Sequence, residues 1–245
     1  MPVFDTVLWD WNGTLLDDAA LCCELLNTML ARHGYAPVGS MEAYRQVFCF
    51  PIETYYRRAG FDFSRHPFAA LADEYMRLYT PRSLGCPLQP DACAVLDALR
   101  AQGMRQVMLS ASKRENLQQQ VEHFGLRSRF DTLLACRTST KSKTEVGLRW
   151  LRESGADPAR IMMVGDSEHD FEVARALGVR CVLFSGGHQP RECWPQRAHL
   201  SSTRWRSFAS AGTACGRITE NAVVRVDPHP DGGVFCGARC GGVLY

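Results

Sequence analysis

The chain of 245 residues is 46% hydrophobic and 22% charged, enough apolar content to bury a full core and incompatible with disorder throughout. A formal net charge of +2 without a basic block argues against a general nucleic-acid binder, and apolar runs such as Ile161 to Gly165 fall far short of the roughly 20 residues of a membrane span. Met1 to Asp10 carries neither a secretory nor a transit pattern, so the cytoplasm is the expected location, and the eleven cysteines are scattered in a way that suggests small core residues rather than a disulfide framework.

Val3 to Asp10 is predicted to be a short buried strand, with Val3, Phe4, Val7, Leu8 and Trp9 leading into a turn at Asn12-Gly13. From Asp18 to about Gly34, Leu21, Leu25, Leu26, Met29 and Leu30 follow helical spacing, and further helices are expected at about 40–49, 52–59 and 67–79. Residues 18–85 therefore read as an all-helical insertion, with Pro81 to Pro90 as its return linker. The pattern then alternates: helix 91–102, strand 105–110, helix 113–124, strand 131–135, helix 143–154, strand 161–165, helix 169–177 and strand 180–184. Such alternation predicts parallel βαβ units, an α/β fold with a three-layer, Rossmann-like parallel sheet core formed by residues 1–17 and 86–200. Residues 201–245 hold one leucine, seven glycines and five arginines without sustained periodicity, and are read as an atypical tail. Its Cys236, Cys240 and His229 lack the paired spacing of a structural zinc site.

Ligands of open parallel sheets bind beyond the carboxyl ends of the strands, and the chemistry-bearing residues fall there. Asp10 ends the first strand and is followed by the turn Asn12-Gly13-Thr14, whose amides can hold an oxyanion. At the end of strand 161–165, Asp166 and Asp170 lie one helical turn apart, hard oxygen donors suited to magnesium, while Ser167 and the acids also suit a helix start. Between these lie Ser110-Ala111 at another strand end and Lys143 at a helix start, a hydroxyl and an ammonium of the kind that hold a phosphoryl group.

These four signals, in this order across residues 3 to about 190, resemble the four motifs of the haloacid dehalogenase-like hydrolases, and the nearest subgroup is similar to phosphoglycolate phosphatases. The resemblance implies a magnesium-dependent phosphatase acting on a small phosphorylated metabolite, with Asp10 as the nucleophile. It implies that the Asp10 carboxylate, the Asn12 carbonyl and Asp166 bind magnesium, that Asp170 supports the metal, and that Ser110 and Lys143 hold the phosphate, with Lys141 as the second candidate lysine. Gly13, Thr14 and Ala111 join the substrate-binding set, and residues 18–85 correspond to the family's helical cap.

One position departs from the pattern. Phosphatases of this family usually carry a second aspartate where this chain has Asn12, and that acid protonates the leaving oxygen and assists the water that follows. Three readings compete: a slow or selective phosphatase, in which Glu168, His169 or a cap residue substitutes; a regulatory protein that binds phosphate or metal; and a different reaction on the same scaffold. The third fits poorly, because the insertion has no lysine for a Schiff base and dehalogenation has no use for the Asp166–Asp170 pair. By the first reading, Asn12→Asp alone raises turnover of poor leaving groups. Within the insertion, Phe48, Phe50, Tyr55 and Tyr56 are candidate substrate contacts, and Arg57 or Arg58 is a candidate partner for a second anionic group.

Overall fold

The computed structural model describes residues 4–136 and 142–194, together with the backbone of residues 201–202. Strands β1 (Thr6–Trp9), β2 (Arg105–Lys113), β3 (Thr132–Cys136), β4 (Ile161–Gly165), β5 (Arg180–Phe184) and β6 (Ser201–Ser202) form one parallel sheet in the order β3-β2-β1-β4-β5-β6. The strand order reverses beside β1, which opens a crevice at the carboxyl ends of β1 and β4.

Alternation along each strand builds two cores. Val7, Trp9, Met108, Met162 and Val164 point to one face, where α5 (Ala92–Ala101) and α6 (Arg114–His123) cover them with Val95, Leu96, Leu99, Leu117 and Val121. Leu8, Val107, Leu109, Ile161 and Met163 point to the other, against Val146 and Trp150 of α7 (Lys143–Ser154) and Phe171, Val173 and Leu177 of α8 (Glu168–Leu177). The tryptophans that reach the first core keep their indole N–H groups satisfied: Trp9 donates to Gln106 Oε1 at 3.1 Å and Trp11 to Gln120 Oε1 at 2.9 Å.

Helices α1 (Ala19–Arg32), α2 (Met41–Val47), α3 (Ile52–Ala59) and α4 (Phe68–Ser83) enclose a third, separate cluster around Leu25, Met29, Tyr44, Tyr55, Tyr56 and Leu71. The two chain segments joining this helical insertion to the sheet run side by side, Asp17 N–H donating to Pro87 O and Gln89 N–H to Leu15 O, both at 2.9 Å. The return linker is shorter than expected, because α4 continues through Pro81 to Ser83. A proline there removes one backbone donor in the last turn, and Gln120 Nε2 donating to Ser83 Oγ at 2.9 Å anchors that turn to α6. Strand β2 also runs beyond residue 110, with a register irregularity between Ser110 and Lys113.

The described cysteines are free thiols, with Cys22, Cys23, Cys49, Cys136 and Cys181 buried. No helix among the described residues is long and apolar enough to cross a membrane. Lys141, His229, Cys236, Cys240 and all of the tail apart from the backbone of residues 201–202 lie outside the described residues.

Candidate active site

Asp10 follows the last residue of β1 and its N–H donates to Val164 O at 2.8 Å, so the sheet itself fixes where the carboxylate emerges. Lys143 is the first residue of α7. A reciprocal cap in which Ser142 Oγ accepts from Glu145 N–H, and Glu145 reaches back to Ser142 N–H, sets the helix start and carries the lysine inward. Its buried ammonium lies 2.5 Å from Asp10 Oδ1 and 2.5 Å from Asp170 Oδ1. Burial disfavours that charge, but the two carboxylates outweigh it and hold the lysine above its usual range.

Asp170 is fully engaged by the protein. Its other oxygen, Oδ2, accepts from the backbone N–H of Asp166 and Ser167 and from the Ser167 hydroxyl, which starts α8 and orients Lys143 in one stroke. Burial raises its carboxyl and Lys143 more than compensates, leaving it below its ordinary value. Asp10 and Asp166 differ. Burial pushes Asp10 up to about 6 against the pull of Lys143, and Asp166 up to about 7 against the pull of His188. The Thr14 hydroxyl lies between them, 3.3 Å from Asp10 Oδ2 and 3.2 Å from Asp166 Oδ1. Asp10, Asp166 and Asp170 thus bring ligand oxygens within 4.8 Å of one another, with Lys143 paired to the first and the last of them. This donor set has an anionic excess that a hard divalent cation fits.

Ser110 is buried near the carboxyl end of β2 and Ala111 is exposed beside it; both line the same cavity as Asp10, Lys143 and Asp166. Gly13 packs where no side chain fits. Its φ is +73°, and an added Cβ would fall 2.6 Å from His188 Cδ2 and closer still to Asp166 Oδ2. Gly13→Ala is expected to destabilise the fold by about 1–3 kcal/mol and to impair turnover, read by denaturant melts alongside initial rates.

Several site residues are invisible to motif reasoning. Asp18 is buried and holds the Asn12 turn: Oδ1 accepts from Gly13 N–H at 2.9 Å, and Oδ2 accepts from Asn12 Nδ2 at 2.8 Å and from Tyr79 OH at 2.6 Å. His188, in the turn after β5, places Nε2 3.3 Å from Asp18 Oδ1 and Nδ1 2.8 Å from Tyr44 OH, while its N–H donates to Asp166 Oδ2 at 2.6 Å. Burial opposes the imidazolium, but Asp18 beside it raises His188 to about 9 and is itself lowered in return, despite its own burial. Ser112 Oγ donates to Asn12 Oδ1 at 3.0 Å. The Asn12 amide is therefore engaged on every side, by α4, by the start of α1 and by the end of β2.

The other expectations fare differently. His169 lines the cavity, stacked on Phe50 at 4.5 Å, whereas Glu168 is not among the lining residues. Arg57 and Arg58 are exposed and do not line the cavity; the Arg57 guanidinium sits 4.4 Å over the Phe63 ring. They occupy the outward face of α3, whose inward face is given to Tyr55, Tyr56 and Ala59.

The family model of the haloacid dehalogenase-like hydrolases matches residues 7–184. The chain belongs to this family. The match spans Asp10, Ser110, Lys143, Asp166 and Asp170 and stops just before His188. Among relatives of this haloacid dehalogenase-like hydrolase, the phosphoglycolate phosphatase of Synechococcus elongatus is 28% identical over 76% of this chain and 86% of its own length. The GMP/IMP nucleotidase YrfG of Escherichia coli K12 is 29% identical over 73% and 82%. The fold matches that of a CbbY variant from Rhodobacter sphaeroides in complex with xylulose-1,5-bisphosphate, with a TM-score of 0.64 and 22% identity over 87% of this chain and 99% of that one.

Proposed function

We propose that this protein is a magnesium-dependent phosphomonoesterase that works through a phosphoryl group carried on Asp10, with Lys143 and Ser110 holding the phosphate and α1–α4 acting as the cap over the leaving group. The observation that carries the reading is the Asp10 carboxylate at the strand end, gripped on one oxygen by buried Lys143 and facing a cavity of about 360 Å³ that Ser110 and Asp166 also line. Relatives named as phosphatase and nucleotidase support it. Asp10, the Asn12 carbonyl and Asp166 would hold the cation, with Asp170 fixing the surroundings; bound there, a divalent ion offsets the repulsion between Asp10 and the incoming phosphate.

The steps that belong to the chain follow from its geometry. Lys143 donates to phosphoryl oxygens whose charge is spread in the transition state, and Ser110 adds a hydroxyl beside it. The Asp10 carboxylate attacks phosphorus, the ester oxygen departs toward the insertion, and water later releases phosphate from Asp10. Asn12 has no proton to give, and its amide is held by Asp18 and Tyr79. That locked amide is also what favours the second reading, a regulatory protein that binds phosphate and metal with incidental turnover.

Purified protein is expected to hydrolyse 4-nitrophenyl phosphate in magnesium, to lose that activity in chelator, and to show none as Asp10→Asn. Undiminished turnover in chelator overturns the metal-dependent mechanism, and metal-dependent phosphate binding without turnover selects the regulatory reading.

Magnesium is also expected to raise the melting temperature more at about pH 8 than at about pH 5.5. In metal-free protein Asp10 and Asp166 bind their protons more tightly folded than unfolded. Their contribution to stability is thus full below the ordinary value of 3.8 and lost as pH rises through about 6 and about 7. A cation held by Asp10 and Asp166 would displace those protons and relieve the repulsion between the two carboxylates. A thermal shift no larger at the higher pH would remove this carboxylate pair as the metal site.

A further inference from the structure

The part of the cavity that faces away from Lys143 is built from the helical insertion, and its chemistry is narrow. Phe48, Phe50, Ile52, Tyr56, Tyr75 and Met76 line it. Three of the five tyrosines that line the cavity have hydroxyls held by the protein: Tyr44 OH pairs with His188 Nδ1, Tyr75 OH donates to Cys22 Sγ at 3.0 Å, and Tyr79 OH donates to Asp18. Two cations of the lining are held by carboxylates as well. Lys143 is held by two carboxylates, His188 by Asp18, and Lys113 is exposed at the mouth, where it and Met76 also border a surface groove with Arg77 and Asn116. Apart from the exposed Lys113, a carboxylate or second phosphate on the leaving group would meet no unpaired cation of the lining, and an anion set deeper, among Phe48, Phe50, Ile52 and Met76, would be buried without a charged partner, which is penalised.

A cationic leaving group is no better served. Cation–π recognition needs open ring faces, and one face of each of three rings is already taken, Phe48 by the cationic His188 at 4.7 Å, Phe50 by His169 at 4.5 Å, and Tyr75 by Tyr79 at 5.5 Å. The rest of the lining is apolar and aromatic surface, which suits a neutral ring. An independent observation points the same way. Asn12 supplies no proton to the departing oxygen, which handicaps alkanols most, whereas a phenol, with a pKa near 10, departs as its anion far more readily.

Resting on the phosphatase reading, we propose that the substrates are phosphate monoesters of neutral phenols, the ring seated in this aromatic chamber and the ester cleaved without protonation of the leaving oxygen. The phosphorus–oxygen bond to the phenol breaks as the bond to Asp10 forms. The electron pair leaves with the phenolate, which takes its proton from water, and a second water then cleaves the aspartyl-phosphate to give inorganic phosphate.

Two measurements separate this proposal from the reading beneath it. Calorimetric binding in magnesium compares benzylphosphonate, methylphosphonate, phosphonoacetate and a trimethylammonium-ethyl phosphonate on the intact protein. Benzylphosphonate is expected to bind about tenfold or more tighter than methylphosphonate, as burial of a ring predicts, with Phe50→Ala narrowing that preference. A benzyl ligand no tighter than methyl overturns the proposal, as does a tightest ligand carrying the carboxylate or the ammonium. Turnover then compares phenyl phosphate with 2-phosphoglycolate, and kcat/KM is expected to favour phenyl by about 100-fold. Hydrolysis with phosphoglycolate preferred overturns the proposal and leaves the phosphatase reading intact. Absence of turnover on both esters, with the benzyl preference retained, overturns the phosphatase reading and leaves the ring selectivity of the chamber standing.

Discussion

Replacing Lys143 by methionine is expected to lower kcat/KM for an aryl phosphate by about 100- to 1,000-fold, the range seen when one preorganised donor to a developing anion is removed. The same change is expected to destabilise the fold by about 3–5 kcal/mol near pH 8, because it strands Asp10 and Asp170 as buried carboxylates without their cation. The stability loss is expected to shrink toward about pH 5, where the stranded acids take up protons. The rate loss is expected to persist there, since a protonated Asp10 is no nucleophile. Lys143→Arg should fare little better, as a planar guanidinium does not fit a pocket shaped around a point charge. Parallel melts and initial rates at the two pH values separate the roles. Turnover within a few-fold of the parent would hand the phosphate-holding role to another cation, Lys141 being the nearest in sequence.

Lys143 also illustrates how much the sequence conveys. Its position at a helix start after a strand, together with Asp10, Ser110 and the Asp166–Asp170 spacing, is enough to place all five at the carboxyl ends of parallel strands, and the structure lines one cavity with them. The reason is local: strand alternation and capping chemistry fix where these side chains emerge. The Asp18–His188–Asn12–Tyr79 cluster is not local. It joins residues from the start of α1, the turn after β5, the β1 turn and the end of α4, as far apart in sequence as Asp18 and His188, and no short spacing encodes it. The strand-end rule applied once more, to the segment after β5, would have raised His188 as a candidate. Arg57 and Arg58 mislead for the opposite reason. Helix position alone does not say which face of α3 is buried, and the tyrosines claim the inward one.

The cluster also changes what restoring the missing acid should do. Asn12→Asp by itself would set a second carboxylate 2.8 Å from Asp18 Oδ2, where both cannot stay ionised. His188 keeps Asp18 charged, so the proton resides on the new acid at position 12 and is donated to Asp18, away from the leaving oxygen. The single variant is therefore expected to gain little. The exchange Asn12→Asp with Asp18→Asn keeps the hydrogen bond between the two positions and reverses its direction. The amide at position 18 donates to the carboxylate at position 12, and its oxygen accepts from Gly13 N–H and from His188 Nε2, with neutral His188 accepting from Tyr44 OH at Nδ1. This double variant is expected to raise kcat for an alkyl ester such as benzyl phosphate by about 10- to 100-fold over either single variant, while phenyl phosphate, which needs no protonation, changes little. A second readout follows from linkage. In the parent, His188 is raised to about 9 from its ordinary 6.5, so its contribution to stability is full below 6.5 and is lost as pH rises through about 9. Without the Asp18 carboxylate that slope should flatten in the metal-free double variant. If the single Asn12→Asp variant matches the double on alkyl esters, Asp18 does not restrain position 12; if the slope also persists, His188 owes its charge to another neighbour, and Asp166 is the one its own N–H already touches.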